Sequence, residues 1–257
     1  MNIPTYKFAT VDSVMNKAVN LQVNNIDPPF AVVSKEMTAA SGRFNKKWHA
    51  SCKDNLHLCM ALPLVDVKEM KNASIWFGLK VCKELQKIFP KLFFEVKWPN
   101  DIYCNGKKIS GMVSRMWHSP ITHYIVGIGL NVNTSIDTFP LNYRSLATSL
   151  KIEMNEEINI EEIEEKVKNA LYKGFIRGSR LDNFYEEFNK VDYIKQKKVI
   201  HPFKGIGYGI EELTGYYLIK RDNDIIDIVA GDIILENEKG LKDILEETGC
   251  HFFCTNA

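Results

Sequence analysis

Phe93-Phe94-Glu95-Val96-Lys97-Trp98-Pro99-Asn100-Asp101-Ile102-Tyr103-Cys104-Asn105-Gly106 is the stretch from which the rest of this chain is read. Phe93, Phe94 and Val96 mark a short strand that runs into the cation Lys97. Proline fixes its own φ and biases the residue before it away from the helical region, so the Trp98-Pro99 step predicts extended backbone. That would hold Lys97 and Asn100 rigidly at a strand end, where one positive charge suits an anionic small molecule in a partly dry pocket. Asn105-Gly106 is a two-residue hairpin signal. It should join the strand holding Ile102 and Tyr103 to one through Ile109 and Val113.

Working outward, Ser13–Val23 reads as a short helix, with Met15, Ala18, Val19 and Gln22 on one face and Asp12 or Ser13 as cap. Ala31–Ser34 reads as a buried strand, and residues 36–47, small and basic without an apolar period, as a loop. Leu56, Leu58, Met60, Leu62 and Leu64 alternate, which predicts a strand with one face on the core. Ile75, Leu79, Cys82, Leu85 and Phe89 give a helical stripe over Ala73–Phe89. His123–Val132 reads as a strand with internal glycines. Ile160–Leu171 reads as a helix whose acids come early and bases late, as the helix dipole favours. Leu181–Phe188 reads as another short helix.

After Lys190 the pattern changes to short strands: Val199-Ile200, Gly205–Ile210, Tyr216–Lys220 and Ile225–Leu235, with a turn at Asp222-Asn223-Asp224. This texture suggests a small β-barrel, with a boundary near Val191.

The bulk properties exclude more than they specify. A chain of 257 residues, 45% hydrophobic and 25% charged, supports a globular core. A net charge of +1 offers no electrostatic basis for nucleic-acid or anionic-membrane binding. No stretch reaches the roughly 18 apolar residues of a membrane span, and Met1–Phe8 lacks a signal pattern, so a soluble cytoplasmic protein is expected. The six scattered cysteines read as reduced thiols. Cys250, His251 and Cys254 lie close together without a second ligand pair, so no metal site is expected there.

Three segments in order carry a family resemblance. Lys97-Trp98-Pro99-Asn100-Asp101 resembles the lysine signature of biotin protein ligases. Lys108-Ile109-Ser110-Gly111-Met112 and Gly127-Ile128-Gly129-Leu130-Asn131-Val132-Asn133 resemble later segments of the same family at about its spacing. Upstream, Gly42-Arg43 and Trp48 stand where the family has a Gly/Arg-rich loop ending in Trp. Ala230-Gly231-Asp232 resembles a turn in its C-terminal barrel. The resemblance implies an α/β (α+β) fold: a large mixed β-sheet domain with helices packed on one side, residues 1–190, then a small SH3-like β-barrel, residues 191–257. It also implies the form without the N-terminal DNA-binding domain that some members carry, since the motifs start within the first dozen residues.

The implied activity is ATP-dependent formation of biotinyl-5′-AMP, then transfer of biotin to a lysine of a biotin carboxyl carrier domain. ATP, Mg²⁺ and biotin would be required, and the chain would act as a monomer or homodimer without nucleic acid or membrane. Lys97 and Arg43 are the implied catalytic cations, Arg43 offering a fork for phosphate and carboxylate. The implied biotin contacts are Ser13, Val14, Met15, Met37, Ser41, Gly42, Arg43, Trp48, Lys97 and Gly111. The implied ATP contacts are Arg43, Lys97, Asn100, Gly129 and Asn131, with Asn100 and Asp101 read either as orienting groups near Mg²⁺ or as structural.

Several positions keep two readings. Ser13 either binds ligand or caps the helix. Trp48 either packs the biotin rings or anchors its loop. Gly111 either pairs its backbone with ligand or marks a bulge, and Gly127 and Gly129 are costly in a strand unless a ligand approaches the backbone closely. The loop also departs from the family pattern, with Ala40 for Gly, Ser41 for Arg, Met37 for Gln and Val14 for a Thr, which bears on how tightly biotin or its adenylate is held. Rival readings are a lipoate ligase, disfavoured by Trp98-Pro99 and Gly129-Leu130-Asn131, and a non-catalytic binder, disfavoured by retention of both cations.

Overall fold

The structure is a computed structural model that describes residues 3–43, 48, 53–63, 73–118, 122–176, 183–238 and the backbone of 253–254. In chain order the elements are β1 (Thr5–Val11), α1 (Val14–Val23), β2 (Phe30–Met37), β3 (Leu56–Pro63), α2 (Ala73–Ile88), β4 (Phe94–Lys97), β5 (Asp101–Cys104), β6 (Lys107–Trp117), β7 (His123–Leu130), α3 (Leu150–Met154), α4 (Ile160–Ile176), α5 (Phe184–Asn189), β8 (Lys198–His201), β9 (Gly205–Ile210), β10 (Tyr217–Arg221), β11 (Asp224–Ala230), β12 (Ile234–Leu235) and β13 (Phe253–Cys254).

Seven strands form one mixed sheet in the order β1-β2-β3-β7-β6-β5-β4. Only β1–β2 is parallel; the other pairs are antiparallel. β1, which no sequence pattern marks, is an edge strand held by one partner and half exposed, so its apolar pattern is weak.

Alternate residues of β3 separate the two faces of this sheet. Leu58, Met60 and Leu62 pack with Leu79, Leu85, Ile163 and Val167 of α2 and α4. Cys59 and Ala61 pack on the other face with Val14, Met15 and Ala18 of α1. The long helices thus lie on one side, and α1 covers part of the other. β3 is therefore buried on both faces, correcting the expectation of a strand with one face on the core. The small Cys59 and Ala61 side chains leave room for α1.

Local chemistry explains the element ends. Ser13 caps α1, its Oγ accepting from Met15 N at 3.2 Å. Asn159 caps α4 by accepting from the N–H groups of Glu161 and Glu162. Asn105 (φ 48°) and Gly106 (φ 81°) turn β5 into β6, the left-handed pair that a tight hairpin requires. The Trp98–Pro99 step is not extended, as the sequence suggested. Its peptide is cis, and residues 98–100 form the turn between β4 and β5, because the register pairs Lys97 directly with Asp101.

The second sheet is antiparallel, in the order β12-β8-β9-β10-β11-β13. The single strand expected over Ile225–Leu235 is broken at Gly231 (φ 117°), so that β12 crosses to pair with β8. Residues 36–37, expected in a loop, extend β2. Residues 44–47, Leu64, Leu181, Cys52, Cys250 and His251 lie outside the described residues. Cys59, Cys82 and Cys104 are free and buried, as the reduced-thiol reading expects of them.

The two sheets share one apolar core. Val96 N donates to Val191 O (2.7 Å) and Tyr193 N donates to Val96 O (3.0 Å), so residues 191–193 are sewn to β4. Tyr193 stacks on Tyr103 at 4.1 Å, and Trp98 Nε1 donates to Gly215 O. At this seam Asp192 is buried. Ile194 N donates to its Oδ1 (2.9 Å) and Tyr217 Oη to its Oδ2 (2.8 Å). Burial outweighs these bonds and pushes its carboxyl up to about 6.

The folded chain therefore holds this proton more tightly than the unfolded chain, whose Asp titrates near 3.8. The contribution is fully present below that value and is lost as pH rises to about 6, a decrease on the order of 2–3 kcal/mol. Urea midpoints of wild type should show this decline, and Asp192→Asn should flatten it. Parallel pH profiles for the two proteins would refute the assignment.

Candidate active site

A pocket of about 250 Å³ opens where the β4–β5 turn, the sheet face beside α1 and the start of β12 meet. Every residue implied above as a biotin or ATP contact lines it. Ser13, Val14 and Met15 come from the start of α1, Met37 from the end of β2, and Ser41, Gly42, Arg43 and Trp48 from the following segment. Lys97 and Asn100 come from the β4–β5 turn, Gly111 from β6, and Gly129 and Asn131 from β7 and its end.

The floor is built by close packing on glycine. Trp48 lies across β6 and β7: a Cβ on Gly129 would meet its indole at 2.6 Å, and one on Gly111 at 3.2 Å. A Cβ on Gly127 would meet Met15 at 2.8 Å. The groups that approach Gly127 and Gly129 are thus the chain's own Met15 and Trp48, where the sequence suggested a ligand. The irregularity of the β5–β6 ladder falls between Ile102 and Tyr103, opposite Ser110 and Lys108, and not at Gly111.

Each pocket cation rests on an internal acceptor. Lys97 is buried, and its Nζ donates to Glu238 Oε2 (2.6 Å), Glu238 Oε1 (2.8 Å) and Tyr103 Oη (3.3 Å). Tyr103 Oη donates in turn to Glu238 Oε1 at 2.8 Å. Burial first, and then the Glu238 charge, hold the Tyr103 phenol well above its usual range, so it stays a protonated donor. Arg43 Nη1 donates to Asn100 Oδ1 (3.4 Å) and to Gly231 O (3.3 Å), bridging the β4–β5 turn and the second sheet. Lys108 Nζ donates to Asp101 Oδ2 at 2.6 Å and sits 5.8 Å from the Trp48 ring.

The amides are also engaged. Asn100 Nδ2 donates to Met112 O (2.8 Å), fastening the turn to β6. Asn131 Nδ2 donates to Thr148 O (3.0 Å), anchoring the chain that returns from the opposite wall. Ser13 Oγ caps α1, and Ser13 also lines the pocket. Among the described residues, two buried polar atoms in the pocket wall lack a hydrogen-bond partner, Asp101 Oδ1 and Trp48 Nε1.

Sequence reading missed a whole wall. Phe139, Pro140, Tyr143, Leu146 and Ala147 line the pocket from the connection that holds two short 3₁₀ turns, at 136–138 and 141–143. These residues have no period that marks them; a Phe and a Tyr close together in a short connection were the one signal. Tyr103, Asp232, Ile233 and the ion pair to Glu238 were also missed. They depend on how the second sheet docks. Among the described residues, no cluster of three His, Cys, Asp or Glu groups is arranged to hold a metal by itself.

Comparison with known proteins places this geometry. The profile of the Biotin/lipoate A/B protein ligase family matches residues 8–133, which supply most of the pocket. The chain is 26% identical over 236 residues to the bifunctional ligase/repressor BirA of Bacillus spizizenii, across 88% of this chain and 72% of that one. It is 34% identical over 125 residues to the chloroplastic biotin–protein ligase 1 of Arabidopsis thaliana, across 46% of this chain and 34% of that one. A solved biotin protein ligase from Aquifex aeolicus, in complex with biotin and ATP, superposes with a TM-score of 0.75 at 24% identity, covering 91% of this chain and 98% of that one. With its lysine turn, glycine-floored pocket and mixed sheet, the chain belongs to the Biotin/lipoate A/B protein ligase family.

Proposed function

We propose that this chain is a biotin protein ligase: it activates biotin with ATP to biotinyl-5′-AMP and transfers biotin to a lysine of a biotin carboxyl carrier domain. The observation that carries the reading is the convergence of Lys97 and Arg43 on one pocket floored by Trp48 over Gly111 and Gly129. An apolar slot with cations at one end suits a hydrophobic ring system with a carboxylate tail.

In the first step a carboxylate oxygen of biotin bonds to the α-phosphorus of ATP and pyrophosphate leaves. In the second, an acceptor amine attacks the acyl carbon, loses a proton and displaces AMP. Both steps crowd negative charge at one junction, so the chain's task is to neutralise it, hold the two anions together and exclude water. Lys97 and Arg43 serve the junction. Met15, Trp48 and Gly111 bound the biotin end, with Ser13, Val14, Met37, Ser41 and Gly42 at its edge. Asn100, Gly129 and Asn131 serve the nucleotide end, and Phe139 and Tyr143 offer an aromatic wall for a base.

Mg²⁺ bound with ATP would neutralise phosphate charge. Such an ion takes one or two protein carboxylates beside phosphate oxygens, which fits Asp101, whose Oδ1 has no partner, and Asp232. We assign residues 1–190 to the ligase domain and 191–257 to a C-terminal barrel, and expect a cytoplasmic protein with no nucleic-acid or membrane role. Among the described residues, no helix is long and apolar enough to cross a membrane.

Pyrophosphate release from ATP should require biotin; release with lipoate instead would move the assignment to the sister activity, and release with neither would overturn it. Lys97→Ala should lose about 2–4 kcal/mol of transition-state stabilisation in this assay. It should also lose about 3–5 kcal/mol of stability, because Glu238 is left buried without its counter-charge, with only the neutral donors Tyr103 Oη and Leu235 N. The double variant Lys97→Met/Glu238→Gln should regain stability without regaining activity, which separates the two roles by melting temperature and rate. Gly129→Ala should cost roughly 1–3 kcal/mol of stability and displace Trp48, with weaker biotin binding by titration calorimetry. An unchanged affinity would remove Trp48 from the biotin wall.

A further inference from the structure

Lys97 carries its own counter-ion, and the bonding around that counter-ion is arranged for exchange. An ammonium has three protons to donate. In this structure the acceptors around Lys97 Nζ are the two Glu238 oxygens and Tyr103 Oη, all of them internal. Glu238 lies behind Lys97 and does not line the pocket, whereas Lys97 and Tyr103 do. An anion arriving from the pocket must therefore take Nζ away from at least part of this set.

Glu238 is not stranded when that happens. Leu235 N donates to its Oε2 at 3.0 Å, and Tyr103 Oη donates to its Oε1 at 2.8 Å. Both oxygens keep a donor after the ammonium turns toward the pocket. Its own position is set by the 3₁₀ turn 236–238 that follows β12, so the second sheet delivers this charge to the site.

We propose that Glu238 is the positioning residue that sets how strongly Lys97 grips the substrate carboxylate, by competing with that carboxylate for the same ammonium. This rests on the biotin-ligase reading above. The electrostatic consequence is selective. Glu238 repels an anion placed at Lys97 and leaves a neutral group almost untouched. Biotin with its carboxylate and the alcohol analogue of biotin share the ring system and differ in the group that meets Lys97. The split between them isolates the Glu238 charge from any general loosening of the pocket.

The experiment measures dissociation constants of biotin and of its alcohol analogue for full-length wild type and Glu238→Gln, by titration calorimetry at one pH and salt. Gln keeps the size and the acceptor for Leu235 N while removing the charge. The expected result is about tenfold or more tighter biotin binding, with the alcohol analogue changed less than about twofold. The melting temperature of the variant should also rise more on adding biotin than that of wild type, since biotin then supplies the anion Lys97 lacks. Equal changes for both ligands, or unchanged biotin affinity, would overturn the proposal and leave Glu238 a structural partner. If Glu238→Gln does not fold, Glu238→Asp, which keeps the charge but draws it back by one methylene, should show a smaller change of the same selectivity; no selectivity overturns the proposal there too. Failure of wild type to bind either ligand would instead overturn the biotin reading, and this inference with it.

Discussion

A lysine ammonium buried at the end of a strand requires an anion, and much of the architecture around this site follows from that requirement. Lys97 closes β4 with only 5% of its surface exposed, and Glu238 meets it with 3%. Desolvating two charges costs several kcal/mol each, which close contact and extra hydrogen bonds offset only when the geometry is good. Here the carboxylate is gripped by Lys97, Tyr103 and Leu235 N. Those bonds locate the end of the second sheet against the first. The same docking brings Asp232 and Ile233 to the pocket and puts Gly231 O under Arg43. The two sheets are thereby one structural unit at the site, with a common core and a charged seam.

The large sheet does two jobs on its two faces. One side carries α2 and α4 and most of the apolar core. The other is covered by α1 at one end, and the pocket opens beside it. Glycines at 111, 127 and 129 thin the sheet on this side, so that Met15 and Trp48 lie close to the backbone. Glycine inside a strand is normally unfavourable. Its use here trades strand propensity for a flat apolar surface.

Much of this was legible in the chain. Ser13 as a cap, Asn105-Gly106 as a hairpin turn and the apolar stripes of Ala73–Phe89 and Ile160–Leu171 are local signals, and local bonds produced them. The order of the lysine, glycine and Gly/Arg segments pointed to the family before any geometry was known. Where the reading missed, a tertiary contact prevailed over a local one. Trp98-Pro99 looked extended, but the pairing of Lys97 with Asp101 bends it into a turn. β3 looked two-sided, but α1 covers the side that alternation assigns to water.

The sequence by itself determined the family, the mixed α/β class, the capped helices and the segments that converge on the pocket. These rest on short-range periodicity, on turn chemistry and on the spacing of motifs along the chain. Only the tertiary structure decided that Glu238, 141 residues from Lys97, is its partner. The same holds for Trp48 as the group filling the glycine floor and for Phe139 and Tyr143 as the opposite wall. Such contacts depend on sheet register and on how one sheet seats against another. Burial turns them from optional into obligatory, and no local pattern in the chain records which distant residue will be there.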